Sequence, residues 1–214
     1  MTDNTESINE KYSERFGENN DLLAAHYDEV QRDLTLSDDD RAARAIDGHN
    51  RASAYLHQLE TWRAEALDER VADLKDDLFS AATVNGFDGS VVKEDANTTQ
   101  LAAIDATDEK LQLMAGRASD TKNSLLAKAV AAEAHARARP DIAMGALAWL
   151  PKKRAAYEEL VGIPDAETRA DRVDRAQTSI PLPQMSRLRP TTEAQETAIR
   201  ITNSERIQRA RLEG

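Results

Sequence analysis

The sequence predicts an all-α protein: a long helix ahead of a compact bundle of short helices, with polar arms at both ends. Residues 37–82 contain no proline and a single glycine, Gly48. Across them Leu56, Leu59, Trp62, Leu67, Val71, Leu74 and Leu78 recur largely at three- and four-residue steps, the period of a buried helical stripe. Aromatic residues make up 4% of the chain and the mean hydropathy is -0.65, a composition of long helices and solvated helical surfaces.

Residues 1–20 form a polar arm with Tyr12 and Phe16 as its only large anchors, a segment expected to order on a partner. Residues 21–84 hold two helices. In the first, Asp21 is placed as an N-cap before Leu22, Leu23, Tyr27, Val30 and Leu34. The second opens with Ser37 and Asp40 in an acidic capping box, and at about 1.5 Å per residue it extends on the order of 65 Å. Leu67, Val71, Leu74, Leu78 and Ala81 give its C-terminal half a short heptad seam, so that half is expected to pack and the N-terminal half to be exposed.

Residues 85–97 form a loop marked by Asn85-Gly86 and Asp88-Gly89. No strand precedes them, and their spacing matches neither the dinucleotide fingerprint nor the phosphate-binding loop. Residues 98–163 are the expected core. Thr98 or Thr99 caps a helix carrying Leu101, Ile104, Leu111 and Met114 as far as Gly116, and Ser119 or Asp120 caps the next, which Pro140 stops. An apolar piece from Ile142 to Leu150 follows, with Trp149 as plain core. Pro151 then opens a helix with Tyr157 and Leu160 that Gly162 and Pro164 close.

Residues 164–214 comprise a charged helix, an extended Ile180-Pro181-Leu182-Pro183 segment, and a terminal helix bearing Ile199, Ile201 and Ile207. They carry too few apolar groups to hold themselves on a core. A neighbouring molecule is therefore the expected support for both arms.

Charge sharpens that expectation. The net charge is -11, and residues 1–40 alone carry twelve acids against three bases. From Arg187 onward six arginines face four glutamates, so the two ends are complementary and suited to contact between copies of the chain. Those arginines are interrupted by glutamates and lack interleaved aromatics, which argues against nucleic acid as a direct partner. The chain has no cysteine, hence neither disulfides nor a thiolate metal site. No secretory signal and no run of 18 apolar residues is present, so a soluble protein with no membrane partner is expected.

The catalytic inventory is thin. His57 with Glu60, and His26 with Glu29, each place an imidazole and a carboxylate on one helix face, and His49 lies two turns before His57. A bundle metal site uses the reverse order, Glu-x-x-His, with further carboxylates pointing inward. These histidines are therefore assigned to a solvated surface, and no metal, cofactor or catalytic residue is expected. Tyr55 and Trp62 on the long helix are instead candidate interface anchors, because aromatics concentrate at binding hot spots.

Leu36-Ser37-Asp38 opening a charged helix, the alanine-rich run from Leu125 to Ala134, and Tyr157-Glu158-Glu159-Leu160 closing the core resemble small all-helical proteins encoded among the capsid and neck genes of tailed phages of high-GC bacteria. The likeness covers residues 30–162. It implies a non-enzymatic virion component, at the capsid or the head–tail junction, whose partners are other structural proteins and further copies of itself. An assembly factor absent from the finished particle, or a helical regulatory module, are the alternatives. On this reading the interface residues are Tyr12, Phe16, Tyr55, Trp62, Pro181, Leu182, Pro183, Ile199, Ile201 and Ile207.

Overall fold

A computed structural model describes residues 4–80, 98–176 and 180. The described residues are helical and contain no strand, so the fold is all-α. In chain order the helices are α1 (Thr5–Arg32), α2 (Asp38–Phe79), α3 (described over 98–104), α4 (Asp108–Thr121), α5 (Ser124–Ala136), α6 (Pro140–Leu147), α7 (Pro151–Gly162) and α8 (Ala166–Ala176). The loop expected at residues 85–97 lies outside the described residues, as do Pro181, Leu182, Pro183, Ile199, Ile201 and Ile207.

Two compact units share α2. The first contains α1, the N-terminal part of α2 to Ala66, and, among the described residues, 165–176 and 180. The expected division into a polar arm and a separate helix fails here, because α1 runs unbroken from Thr5 to Arg32. Its start is fixed by Asn4, whose side chain accepts from the Ser7 amide at 2.8 Å. Asp21 is not a cap and lies in mid-helix. Ile8, Tyr12 and Phe16 prolong the spacing of Leu23, Tyr27 and Val30, so the few apolar residues of the arm line up with those of the helix.

Asp33 and Thr35 make the turn between α1 and α2. The Asp33 carboxylate accepts from the Thr35 amide at 2.9 Å and its hydroxyl at 2.5 Å, which holds the carboxyl below its usual pKa. The capping pair is present as expected: the Asp40 amide donates to Ser37 Oγ at 3.1 Å, and Ser37 Oγ donates to the Asp40 carboxylate at 2.6 Å.

The two helices then run antiparallel. Asn9 accepts from Arg63, Tyr12 donates to Glu60, Asn19 donates to the Ala52 carbonyl, and His26 Nε2 donates to the Arg44 carbonyl. As α1 advances by heptads from 12 to 19 to 26, its partners on α2 recede from 60 to 52 to 44. Close approach at the far end depends on Gly48, where a Cβ would sit 2.2 Å from His26 Cδ2.

The N-terminal half of α2 is not exposed, contrary to expectation. Ala42, Ala45, His49, Ala52, Leu56 and Leu59 are buried at alternating steps of three and four. Leu67, Leu74 and Leu78 continue one residue out of that phase, and the slip falls where the first unit gives way to the second. A seam of alanine and polar residues is buried like one of leucine, but it carries little hydropathy signal.

α8 completes the first unit. Asp165 caps it, accepting from the Thr168 amide at 2.6 Å, and His57 Nδ1 donates to the Val173 carbonyl at 3.1 Å. Leu23, Ala52, Leu56, Ala176 and Ile180 form its small apolar core, with Phe16 and Tyr27 packed against them. Ile180 therefore belongs to this core and not to a free arm.

The second unit spans Leu67 to Pro164. Ala103, Leu111, Ala118, Ala127, Val130, Ala131, Ala134, Ala143, Ala146 and Leu147 are completely buried, and the many alanines let α4, α5 and α6 approach closely. The expected helix from Thr98 to Gly116 is broken at 105–107, where Thr107 caps a fresh start and accepts from the Lys110 amide. Arg137 makes the break possible by donating to the Ile104 and Ala106 carbonyls at 2.8 and 2.7 Å. Gly116 lies inside α4, and the cap of α5 is Asn123 where Ser119 or Asp120 was expected. Pro140 opens α6 instead of stopping α5, and Pro151 opens α7 as expected.

The C-terminus of α2 has no basic residue in its own last turn. Its last carbonyls are met from elsewhere in the unit. Lys153 donates to Asp77 O at 2.9 Å and Lys128 to Ser80 O at 3.0 Å, while Arg70 grips Glu159 of α7 through two bonds of 2.9 and 2.7 Å. Phe79, His135 and Tyr157 form a ring cluster with centroids 5.5 to 6.5 Å apart. Trp149, expected as plain core, is half-buried with the Lys122 ammonium 5.3 Å from its ring centre.

Candidate functional site

The α1–α2 hairpin carries aromatic side chains on both of its flanks. On the flank facing α8, Tyr12, Phe16 and Asn20 of α1, Leu56 and Glu60 of α2, and Arg172, Arg175, Ala176 and Ile180 line a cleft of about 390 Å3. That volume lies within the roughly 300–1,000 Å3 of pockets that hold small molecules or inserted side chains.

Polar contacts fix its floor. The Tyr12 and Phe16 rings stack with centroids 6.0 Å apart at 14°. The Tyr12 hydroxyl donates to Glu60 Oε1 at 2.5 Å, and the Arg63 guanidinium sits 4.4 Å from the Tyr12 ring centre while donating to Asn9. Burial and the Glu60 carboxylate push the Tyr12 phenol up to about 12, so at neutral pH it remains a donor. Arg172 stands exposed at the rim, and Arg175 there pairs with Asp171. The cleft thus offers an apolar base with cations at its edge, a setting for an apolar side chain carried on an acidic segment.

The opposite flank is open. The Arg15 guanidinium lies 5.0 Å from the ring centre of half-buried Trp62. Leu22, one heptad from Arg15 on α1, and Tyr55, one heptad from Trp62 on α2, have 71% and 40% of their surfaces exposed. Two of the sequence-predicted anchors, Tyr55 and Trp62, therefore share this flank, and Tyr12 and Phe16 share the cleft. Sequence reasoning missed Arg63, Arg172, Arg15 and Leu22.

The histidines assigned to a solvated surface have structural roles. His26 and His57 donate to backbone carbonyls, and Glu60 receives the Tyr12 hydroxyl. His49 is buried, which lowers its pKa and keeps it neutral. Among the described residues no group of three or more histidine, aspartate or glutamate side chains is arranged to hold a metal ion. No described helix is long and apolar enough to cross a membrane. Comparison with known protein families, curated proteins and solved structures gives no match.

Proposed function

We propose that this chain is a non-enzymatic structural or assembly protein that joins neighbouring subunits through its first helical hairpin. The observation that carries this reading is the placement of the hairpin's aromatic residues. Tyr12 and Phe16 line an open cleft and Tyr55 is exposed on the other flank, whereas a hairpin serving only to fold would turn them inward. The resemblance of residues 30–162 to capsid and neck proteins of tailed phages supports a virion as the assembly. In that setting the chain binds other structural proteins at the capsid or the head–tail junction. The cleft supports a neighbour that inserts an apolar side chain from an acidic segment between Phe16 and the arginines of α8.

The experiment compares full-length chain with its Phe16→Glu variant in virions produced from the genome that encodes it. Wild-type chain is expected in the purified particles by mass spectrometry. The variant, with helical circular dichroism retained, is expected to be depleted from them. Absence of the wild-type chain from finished particles, with presence in precursors, would favour an assembly factor. Undiminished incorporation of Phe16→Glu would refute the cleft as the joint.

A further inference from the structure

We propose that the apolar side chain received by the cleft is Leu34 of a second copy of this chain, so that copies join head to tail, the α1–α2 turn of one seated in the cleft of the next. The proposal rests on the cleft being the joint and names what fills it.

The turn carries the features the cleft is built to receive. Leu34 is 89% exposed, more than any other large apolar side chain among the described residues. Its backbone is nonetheless held on both sides: the Asp33 carboxylate accepts from the Thr35 amide and hydroxyl, and the Arg41 guanidinium donates to the Asp33 and Leu36 carbonyls at 3.1 Å each. A turn fixed in this way presents its leucine at little further cost in order. The surrounding chain is acidic, with four aspartates and no base from Asp33 to Asp40. Asp33 is engaged in the turn, Asp40 in the cap with Ser37, and Asp38 lies 3.5 Å from Arg41, whereas exposed Asp39 makes no hydrogen bond or ion pair among the described residues.

The cleft is the complement. Phe16, stacked on Tyr12, lines it with Leu56, Ala176 and Ile180, an apolar wall for a leucine. Glu60, the carboxylate among the lining residues, is taken up by the Tyr12 hydroxyl, and Arg175 is held by Asp171. Exposed Arg172 makes no hydrogen bond or ion pair among the described residues. An unpartnered aspartate five residues from Leu34 thus matches an unpartnered guanidinium at the rim. The two cannot meet within one molecule. Unbroken helix separates Phe16 from Arg32, about 24 Å at 1.5 Å per residue, and Leu56 from Asp38, about 27 Å. Turn and cleft are different patches, so each joint leaves one of each unfilled and the contact extends into chains or closes into rings.

Sedimentation of the full-length chain across a concentration series is expected to show species that grow beyond a dimer. Leu34→Glu and Phe16→Glu, each with helical circular dichroism retained, are expected to be monomeric alone. Mixed, they are expected to form a one-to-one heterodimer and nothing larger, because the first keeps its cleft and the second its turn. Arg172→Glu reads the same cleft from an exposed position, without touching its apolar wall, and is expected to weaken association by roughly tenfold. A wild-type chain that stays monomeric at every concentration would overturn the proposal. So would association that survives Leu34→Glu, or a mixture of the two variants that stays monomeric. Failure of the cleft as the joint is read separately, in virions: normal incorporation of Leu34→Glu beside depletion of Phe16→Glu would keep the cleft and reject a second copy as its occupant.

Discussion

Asn19, Asp47, His49, Ser53 and Arg169, the buried polar or charged residues among those described, all lie in the first unit; the second buries alanine, leucine and a few larger apolar groups in their place. The two units are built from the same material, amphipathic helices, for different ends. In the second, close-packed alanine helices supply the burial, and Arg137, Lys128, Lys153 and the Arg70–Glu159 pair tie helix ends and α7 to them from the surface. In the first, side chains reach across to backbone carbonyls, and the large aromatics sit at the edges. A region that spends its aromatic surface outward relies on hydrogen bonds inward. The proposed binding role of the first unit rests on that contrast.

The comparison can be broken by unequal responses to mutation. The largest effect belongs to the second unit: Leu147→Ala, at a completely buried site, is expected to cost about 2–5 kcal/mol in denaturant unfolding. Next is Gly48→Val in the first unit. The added side chain must displace His26 from its bond to the Arg44 carbonyl, at an expected cost of about 1–3 kcal/mol. A Gly48→Val chain as stable as wild type would show that the close approach is dispensable.

Smaller effects follow from pH. Burial lowers the pKa of His49 in the first unit, and burial followed by Lys75 lowers that of His135 in the second. A base held below its ordinary 6.5 contributes stability above that pH and loses it as the pH falls further, because the unfolded chain takes up the proton first. His49→Leu should therefore flatten the acid limb of the stability profile, and an unchanged limb would place the titration elsewhere. The smallest effect is Tyr12→Phe, which removes the bond to Glu60 and is expected to cost about 0.5–1.5 kcal/mol below pH 10. Between 10 and about 12 the wild-type advantage fades, since the unfolded phenol ionises first. Phenolate absorbance that rises at the ordinary tyrosine pKa for every tyrosine would contradict the Tyr12–Glu60 contact.

How much of this was legible in the sequence follows from the strength of each local signal. The all-α class, the long second helix and the Ser37–Asp40 cap were readable because they rest on uninterrupted periodicity and a specific side-chain bond. The start of α1 was not. Ile8, Tyr12 and Phe16 are too sparse to outweigh the acids around them until α2 is present to pair with. The break at 105–107 was missed because Arg137, which satisfies its carbonyls, lies some 30 residues away in sequence, and the seam through Ala42, Ala45 and Ala52 because alanine scores weakly at any period. Tyr12, Phe16, Tyr55 and Trp62 were identifiable one by one as aromatics on polar helices. Their sorting onto two flanks depends on the antiparallel register of α1 and α2, which only tertiary contacts reveal.

One paired measurement tests the central claim, that recognition resides in the first unit. Incorporation of the full-length chain into purified particles would be followed by mass spectrometry for Phe16→Glu on the hairpin and for Leu113→Glu on α4, a residue 75% exposed in the second unit. The account predicts that the first substitution depletes the chain from the particles and the second leaves its incorporation unchanged. Depletion on Leu113→Glu with undiminished incorporation of Phe16→Glu would contradict it.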